Sequence, residues 1–553
     1  MTLEEKVGQM LLFGWRAEDE AAPSPSEGYP GTAAQTAATS VNAHARKLLT
    51  EWKVGGVILM GRNVESPTQV ARLHNDVQAL CDVPVFFSTD QEGGHVCRMK
   101  TPFTMMPGAM PLGATGDEQL AFQAAKAVGE ELTAIGVNLD FAPDADVNNN
   151  PDNPIIGVRS YGADPAKVAG MVAAQVKGYL AGGAIPCAKH FPGHGDTAVD
   201  SHLGLATIPF PMERLSQVEL VPFQAAIAAG APFIMTAHII FEALDPDRPA
   251  TLSPKIINGL LREELGFRGV VITDCMEMKG IVSHYGIAEA AVMAVEAGVD
   301  ICAACHTPSR QEAVRNAILD AVRSGRISES RIDESVARIL ACKEAFRLEA
   351  RRTVDVSAVP KVVGSEAHRA VEREIARRSV TLVKDEAGRI PLPVGRIAVI
   401  GPKDPAEAVV KELSALRPGA EIVAAAVGPA FTDDEVAAAR SAAKDAAAVV
   451  LLTKHKEPWT AVPQDEAAQA SLANELSSGP LVVAAIRNPY DIRNFPGVPT
   501  YLATMGYTAA SLKALAEVLT GAIAPQGRLP VSLPDAPSLP DISAHEDTTK
   551  WGF

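Results

Sequence analysis

One segment of the chain concentrates groups that can transfer protons, bind a metal ion or act as nucleophiles. Residues 189–202 contain three histidines, two aspartates and one lysine, interrupted by Pro192 and two glycines. Proline and glycine break helix and strand periodicity, so this segment is predicted to be a loop. The apolar run 184–188 before it is predicted to be a buried strand. The reactive residues therefore follow the carboxyl end of a strand, where catalytic loops of α/β barrels lie.

Four further predicted strands also end in groups of polar residues. These groups are Asp90 to Gly94 with Arg98, Asp140 to Asp146 with Arg159, Thr236 to His238, and Asp274 to Glu277. A single carboxylate after an apolar run is often only a helix cap. Five such groups at the same pole are difficult to explain as caps, so they indicate a functional site.

Eight short apolar runs alternate with helical segments over the first 345 residues. The predicted strands are Gln9–Phe13, Gly56–Met60, Val85–Thr89, Gly136–Phe141, Ile185–Ala188, Phe233–Ala237, Val270–Thr273 and Val299–Cys302. This alternation predicts a parallel α/β architecture, and eight strands are the number that closes a TIM-like (β/α)8 barrel. An open doubly wound sheet is the alternative.

The 553 residues are too many for one ordinary core. The pattern weakens after residue 346, and a second alternation of strands and helices begins beyond residue 370. Its predicted strands are Ile397–Ile400, Ile422–Ala426, Val449–Leu452, Leu481–Ile486 and Tyr501–Ala503. The chain is therefore predicted to be α/β throughout, with a TIM-barrel catalytic domain (1–346), a linker (347–370) and a smaller C-terminal α/β sandwich domain (371–553).

Charge and cysteine content limit the partners and the location. The formal net charge of −16 argues against nucleic acid or an anionic membrane as the main partner. The first residues lack the basic patch and apolar stretch of a signal peptide, and the seven cysteines are an odd number. A cytoplasmic location with reduced thiols is expected. The string Cys302-Ala-Ala-Cys305-His306 matches a haem-attachment pattern, but we interpret it as a chance pattern at a strand end.

Residue types alone leave two reaction classes open. One is a metal-dependent hydrolase, for which the candidate ligands are His190, His194, His202, Asp196 and Asp200. The other is carboxylate chemistry, with Asp274 as nucleophile or base and a histidine as proton donor. A carbohydrate-binding protein without catalysis is a third class, which so many ionisable groups at one pole disfavour.

Specific strings favour the carboxylate reading. Residues 189–202 resemble the signature of the β-N-acetylglucosaminidases of glycoside hydrolase family 3. The resemblance extends to residues 90–94, to Arg159 in Gly-Val-Arg-Ser-Tyr-Gly and to residues 268–274. It reaches the second domain in residues 506–508 and 527–534, and so covers essentially the whole chain.

The resemblance implies a role for each matching residue. Asp274 would be the nucleophile, His202 the general acid and base, and Asp200 the group that orients the imidazole and raises its pKa. The positions that match sugar-binding residues are Asp90, Arg98, Arg159, Lys189 and His190. Arg98 and Arg159 have structural ion pairs as an alternative role, and Asp274 has a helix cap. His194 and Asp196 are interpreted as loop-shaping residues, and no metal or cofactor is implied.

The function implied is a retaining exo-β-N-acetylglucosaminidase, that is, a β-N-acetylhexosaminidase. It would release terminal N-acetylglucosamine from cell-wall (muropeptide) or chitin-derived glycosides. The substrate partner is therefore an N-acetylglucosamine-containing oligosaccharide. A neutral histidine as the base does not repel phosphate, so phosphorolysis at the same site is an alternative. The sequence carries no signal for the oligomeric state.

Overall fold

A computed structural model describes residues 1–17, 36–198, 204–455 and 465–533. Its first domain is built around one sheet of eight parallel strands. In chain order these are β1 Leu11–Phe13, β2 Gly56–Leu59, β3 Phe86–Thr89, β4 Leu139–Asp140, β5 Ile185–Phe191, β6 Phe233–Thr236, β7 Val270–Thr273 and β8 Cys302–Ala304. Each strand lies beside its neighbours in chain order, and β1 also pairs with β8.

Backbone hydrogen bonds between β7 and the start of β8 close this sheet into a barrel. The amide of Thr273 donates to the carbonyl of Ile301 at 3.0 Å, and the amide of Ile301 donates to the carbonyl of Val271 at 3.0 Å. The eight strands are buried along their whole length, as expected for parallel strands covered on both faces. The predicted TIM-like barrel is confirmed, and the open-sheet alternative is wrong.

Helices surround the barrel, and short strands extend from its rim. The α-helices are Leu3–Gln9, Ala43–Thr50, Pro67–Ala79, Ala109–Thr115, Glu118–Ala134, Pro165–Ala181, Met212–Gln217, Val221–Ala228, Lys279–Tyr285, Ile287–Ala297, Pro308–Arg323 and Glu329–Ala345, and Lys255–Glu264 is a π-helix. The short strands are the hairpin Gln91–Gly93 and Val96–Cys97 and a three-stranded sheet of Ala206–Ile208, Ile239–Phe241 and Asp245–Pro249.

The second domain is a six-stranded sheet between helices. Its strands are β9 Thr381–Asp385, β10 Ile397–Gly401, β11 Ile422–Ala426, β12 Ala448–Thr453, β13 Leu481–Ala485 and β14 Thr500–Ala503. They lie in the order β9-β14-β13-β12-β10-β11, and only β9 runs antiparallel to its neighbour. The helices are Glu366–Ser379, Lys403–Leu416, Asp433–Ala443, Glu466–Leu476 and Ala509–Thr520, whereas the short helix Val359–Val362 before them packs on the barrel helices Pro67–Ala79 and Glu118–Ala134. The predicted α/β sandwich is confirmed.

The two domains share part of a hydrophobic core. Met110, Ala114 and Val158 of the first domain pack in the same buried cluster as side chains from β10, β12, β13 and β14. The interface is therefore continuous with the interior of the second domain. In the parts of the chain described here, no helix combines the length and the apolar character needed to cross a membrane.

Candidate active site

The predicted site residues that the structure describes lie at the carboxyl end of the barrel. Asp90 directly follows β3, Lys189 and His190 lie near the end of β5, and Asp274 directly follows β7. Arg98 follows the hairpin after β3, and Arg159 ends a short 3-10 turn in the long loop after β4. Because parallel strands of a barrel all end at the same rim, the fold brings these residues to one face.

Two cations and three carboxylates form a cluster at this rim, which we call the charged cluster: Asp90, Glu92, Asp144, Arg159 and Lys189. Arg159 donates two parallel hydrogen bonds to Glu92, at 2.9 Å from Nε and 2.8 Å from Nη2. Its Nε lies 3.3 Å from Asp144 Oδ2. The ammonium group of Lys189 lies 2.6 Å from Glu92 Oε1 and 3.2 Å from Asp90 Oδ1. It also lies 3.9 Å from Asp144 Oδ1, so Lys189 links carboxylates that follow β3 with one that follows β4.

Asp90 and Arg98 are the members of this region most open to a ligand. Arg98 Nη2 lies 3.1 Å from Asp90 Oδ2, and the two side chains are 22% and 16% exposed. The side chains of Arg159 and Lys189 are only 8% and 3% exposed. Both arginines thus form ion pairs, as the structural alternative expected, but the pairs lie within the candidate site. The Asp90–Arg98 pair offers an acceptor and a donor to sugar hydroxyls.

The charged cluster sets the protonation of its own members. Burial opposes ionisation of Glu92, but the cations of Arg159 and Lys189 outweigh it and hold the pKa of Glu92 well below its usual range. Burial also raises the pKa of Asp144, and neither of its carboxylate oxygens accepts a hydrogen bond from the described residues. Glu92 is therefore the fixed counter-charge of both cations, whereas Asp144 is the member closest to binding a proton.

A buried carboxylate organises the beginning of the histidine-rich loop. Asp146 Oδ2 lies 2.8 Å from His190 Nδ1, and Asp146 Oδ1 accepts a hydrogen bond from the amide of His194 at 2.6 Å. Burial opposes charge on both partners, but the attraction between them outweighs it, lowering the pKa of Asp146 and raising that of His190. Because Asp146 is ionised, it accepts the hydrogen bond, and His190 carries its proton on Nδ1.

His194 and Asp196 hold the loop in place, as the sequence predicts. His194 Nδ1 lies 2.9 Å from Thr197 Oγ1. Asp196 Oδ2 accepts hydrogen bonds from Asn149 and Arg214, each at 2.8 Å. These contacts join the loop to neighbouring segments of the barrel rim.

The geometry brings together a different set of metal-binding groups from the one the sequence suggests. In the described ranges, the buried residues Asp144, Asp146 and His190 place one ligand atom each within 4.8 Å of one another. His190 alone belongs to the predicted ligand set. Arg159 lies 3.3 Å and Lys189 3.9 Å from Asp144, so two cations already lie beside this candidate ligand. This cationic surrounding disfavours a divalent ion.

Asp274 is not a helix cap. The following helix, Lys279–Tyr285, has Met278 at its cap position and no side-chain capping bond. Asp274 instead accepts a hydrogen bond from the amide of Cys275 at 2.6 Å, and its own amide donates to Thr236 on β6 at 3.3 Å. The carboxylate is half-buried. A backbone-anchored, partly accessible carboxylate suits a nucleophile better than a structural role.

Two of the predicted catalytic residues fall on a segment that the structure does not describe. Asp200 and His202 lie outside the described residues, so their roles stay predictions.

Cys302 and Cys305 are buried free thiols at β8, and burial raises the pKa of Cys302 to about 12. Cys275, beside the nucleophile candidate, is also buried and free. These environments fit packing roles for the cysteines.

The second domain packs directly against the loop that carries Arg159. The amide of Ala163 donates to the carbonyl of Pro530 at 3.0 Å. Gly162 has φ of +152°, and a Cβ added there would lie 2.5 Å from the same carbonyl oxygen. Only glycine fits this close approach. Pro530 of the second domain thus helps to position the loop that carries Arg159.

Three carboxylates of the site are not among the residues that the sequence predicts for it. Glu92, Asp144 and Asp146 hold Arg159, Lys189 and His190 in place, and all three follow predicted strands. Their position at strand ends was the available signal. What the sequence lacked was the distance between segments, which decides which carboxylate meets which cation.

The fold and the site together define a two-domain barrel enzyme with a carboxylate at its catalytic rim. Residues 2–342 match the glycosyl hydrolase family 3 N-terminal domain, and residues 380–550 match the corresponding C-terminal domain. The chain therefore belongs to glycosyl hydrolase family 3 and is a glycoside hydrolase. The family and the enzyme class predicted from the motifs are confirmed.

Similar proteins cover both domains. The chain is 34% identical over 419 residues to beta-hexosaminidase A of Pseudoalteromonas piscicida, covering 71% of this chain and 69% of that one. It is 30% identical over 506 residues to a beta-N-acetylglucosaminidase/beta-glucosidase of Cellulomonas fimi, covering 86% and 88%. Among solved structures, a family 3 beta-N-acetylglucosaminidase from Paenibacillus sp. str. FPU-7 has a TM-score of 0.86 at 39% identity, covering 96% of this chain and 99% of that one.

Proposed function

We propose that the protein is a retaining exo-β-N-acetylglucosaminidase acting on cell-wall (muropeptide) or chitin-derived glycosides. The observation that carries this proposal is the half-buried Asp274, free of any capping role, at the same barrel rim as the Asp90–Arg98 pair. The relatives support a substrate that contains N-acetylglucosamine, since proteins named as β-hexosaminidases and β-N-acetylglucosaminidases match most of the chain.

The proposed reaction is a double displacement. The Asp274 carboxylate attacks the anomeric carbon while His202 protonates the departing glycosidic oxygen, which gives a covalent glycosyl ester and a free alcohol. His202, now neutral, then takes a proton from a water molecule. The oxygen of that water attacks the anomeric carbon from the face that the alcohol left, and it displaces the Asp274 carboxylate. Asp200 orients the imidazole through both steps. The product retains the β configuration.

The stereochemistry of the first product tests the proposal. The wild-type protein is mixed with an aryl N-acetyl-β-glucosaminide, and proton NMR follows the anomeric signals before mutarotation. The β anomer of N-acetylglucosamine is expected first. Initial release of the α anomer would overturn the retaining mechanism, and no release of N-acetylglucosamine would overturn the proposed function.

The dependence on the leaving group tests the division of labour. His202→Ala is expected to slow a natural disaccharide far more than a nitrophenyl glycoside, because a nitrophenolate departs with little protonation, and general acid catalysis contributes about 10²–10⁴-fold. Asp274→Ala is expected to abolish both reactions. If His202→Ala slowed both substrates equally, the acid would lie elsewhere.

The same assay separates the two alternatives left by the sequence. Activity that survives exhaustive chelation supports carboxylate chemistry, whereas a loss reversed by zinc would support the metal-dependent class. In phosphate buffer, free N-acetylglucosamine is expected as the main product. Mass spectrometry that finds mainly the sugar 1-phosphate would assign a phosphorylase instead.

A cytoplasmic location is part of the proposal. All seven cysteines are free in the structure. Free thiols in this number are typical of a reducing compartment. Fractionation of the native cells, with the enzyme detected by antibody, tests this location.

A further inference from the structure

A buried glutamine lies directly beside the Asp90–Arg98 pair. Gln91 follows Asp90 in the chain, begins the hairpin after β3 and is 3% exposed. Arg98 comes directly after the second strand of that hairpin, Val96–Cys97, so the turn brings it back to Asp90. The double displacement proposed above does not use Gln91. A side-chain amide as buried as this one nevertheless needs hydrogen-bond partners, and those partners show what it does.

The side-chain amide of Gln91 is bound to the backbone of Arg98 and Met99. Gln91 Oε1 accepts hydrogen bonds from the amides of Arg98 at 3.0 Å and Met99 at 2.9 Å. Gln91 Nε2 donates to the carbonyl of Met99 at 3.0 Å. Arg98 and Met99 belong to no helix or strand, so these bonds take the place of a strand ladder in fixing their backbone.

Gln91 is itself fixed to the barrel. Its backbone amide donates to Asp140 Oδ1 at 2.8 Å, and Asp140 is the last residue of β4 and fully buried. At the other end of the contact, the side chain of Met99 is buried in the barrel core. The backbone of Arg98 is therefore connected to β3 through the hairpin and to β4 through Gln91 and Asp140.

The position of the Arg98 backbone limits where its guanidinium group can lie. Arg98 Nη2 lies 3.1 Å from Asp90 Oδ2. Arginine has many rotamers, and holding its backbone in one place reduces the number that still reach Asp90. Groups that bind a ligand through aligned hydrogen bonds lose affinity unless supporting contacts hold them to within about 0.5 Å. The contacts of Gln91 supply that support.

We propose that Gln91 is a positioning residue for sugar binding. Its side-chain amide fixes the backbone of Arg98 and so holds the guanidinium group beside Asp90, where the pair binds a hydroxyl group of the N-acetylglucosamine ring. The inference rests on the proposed function and deepens it, because it assigns a residue that sets affinity by acting through Arg98. Glutamine suits this task, since one amide group supplies both the acceptor and the donor that the Arg98–Met99 backbone needs.

The test uses the full-length protein and a set of nitrophenyl N-acetyl-β-glucosaminides. One is the parent substrate, and the others each lack the hydroxyl at C3, C4 or C6. Arg98→Met identifies the hydroxyl that the pair binds, because only the ratio of kcat/KM between the parent and that deoxy substrate should fall. Gln91→Met is expected to lower the same ratio. It is also expected to raise KM for the parent about tenfold, the size of effect that follows from the loss of buried hydrogen bonds.

A role of Gln91 in folding alone predicts a different result. Partial unfolding lowers the concentration of active enzyme, so it lowers the apparent kcat and leaves KM and the parent-to-deoxy ratios unchanged. Gln91→Glu is the milder variant, since a carboxylate accepts from both amides but does not donate to the Met99 carbonyl. Its ratio is expected to lie between those of the wild type and Gln91→Met, and it carries the comparison if Gln91→Met does not fold.

Gln78→Met is the matched control. Gln78 is also a buried amide that binds the backbone twice, since its Nε2 donates to the carbonyl of Val85 at 3.0 Å and its Oε1 accepts from the amide of Val85 at 3.1 Å. Val85 precedes β3, whereas Gln91 follows it, so the control lies at the opposite end of the same strand. KM and all parent-to-deoxy ratios are expected to equal those of the wild type.

Several results would overturn the inference. If the Gln91 variants keep the wild-type ratios, or change the ratio at a different hydroxyl from Arg98→Met, Gln91 does not act through Arg98. If Arg98→Met changes no ratio, the pair does not bind a sugar hydroxyl. Equal effects from Gln78→Met would show a general loss of barrel packing. Failure of the wild type to cleave the parent substrate would reject the proposed function itself, whereas cleavage with unchanged ratios rejects only the role of Gln91.

Discussion

Glu92 is the residue on which the charges of the candidate site depend. It is the shared partner of Arg159 and Lys189, two nearly buried cations, and its pKa is held well below the usual range. Neither Asp90 nor Asp144 lies as close to Lys189. Without Glu92, the two cations would be left with Asp90, which also pairs with Arg98, and with Asp144, whose oxygens accept no hydrogen bond from the described residues.

Glu92→Gln is therefore expected to be strongly destabilising. Removing one partner of a buried ion pair costs about 3–5 kcal/mol, because the remaining charge stays buried without compensation. Urea unfolding measures this loss, and kcat/KM on an aryl glycoside should fall with it. Glu289→Gln is the matched control, since Glu289 pairs with Arg326 at the surface, where the side chains are 50% and 40% exposed. That change is expected to cost under about 1 kcal/mol. Equal losses in both variants would contradict the role of Glu92.

The sequence predicts individual site residues where they belong to a motif or follow a strand. It does not predict which carboxylate contacts which cation or histidine. The arrangement of Asp90, Arg98, Lys189 and Arg159 at one rim follows from strand ends alone. The pairing of His190 with Asp146 does not, because the two residues are separated by 44 positions and meet only when β5 lies beside the loop after β4. Their functional roles stay predictions until the variants above are measured.

At the scale of elements, apolar runs located the barrel strands well and their ends less well. Val270–Thr273 is predicted and observed with the same bounds, whereas β8 begins three residues after the predicted start at Val299. The strand β9, Thr381–Asp385, was not predicted. It lies at the sheet edge, and only Thr381 and Val383 of its five residues are buried, so it lacks the continuous apolar run of the central strands.

The loop that carries Arg159 depends on a glycine at its contact with the second domain. Gly162→Ala is expected to lower the melting temperature and raise KM, because a Cβ would lie 2.5 Å from the Pro530 carbonyl oxygen and φ is +152°. Differential scanning fluorimetry and steady-state kinetics measure the two effects. Gly157→Ala is the control in the same loop, since φ is +47° there and a Cβ would meet nothing within 4 Å. A larger effect at Gly157 than at Gly162 would contradict this account.

On the helix Glu366–Ser379, His368 lies between two glutamates of the barrel helix Glu118–Ala134. His368 Nδ1 lies 2.9 Å from Glu131 and its Nε2 lies 2.9 Å from Glu130. The hydrogen bond to Glu131 raises the pKa of His368 most, burial acts against it, and Glu130 adds to the rise. The charged imidazole therefore stabilises the folded state.

This contact is expected to stabilise the protein more at low than at neutral to alkaline pH. A raised pKa in the folded state means that the stabilisation is complete below the unfolded value of about 6.5 and is lost as the pH rises through the folded value. The difference in urea midpoint between the wild type and His368→Gln should therefore be larger at pH 6 than at pH 9. A difference that grew with pH would show that His368 acts in its neutral form.

The whole molecule is expected to unfold as one unit, although it contains two domains. Three side chains of the barrel domain pack among residues of the second domain's sheet, namely Met110, Ala114 and Val158. Met110 is fully buried there. Separating the domains would expose this shared cluster, so neither domain keeps its full core alone. The same interface carries the contact of Pro530 with Ala163 and the wall of a cavity beside the charged cluster. Folding of the site and docking of the domains are thus coupled.

Met110→Ala tests this coupling. Truncating a fully buried methionine costs about 2–5 kcal/mol. Because Met110 belongs to one domain and packs in the core of the other, calorimetry should show a single transition that moves to lower temperature as a whole. Met293→Ala is the comparison, since Met293 lies on the barrel helix Ile287–Ala297, is only partly buried and packs in the barrel cluster, so a smaller shift is expected. Two resolved transitions in the wild type, with Met110→Ala moving only one, would mean that the domains fold independently and that the second domain supports the site without sharing its stability.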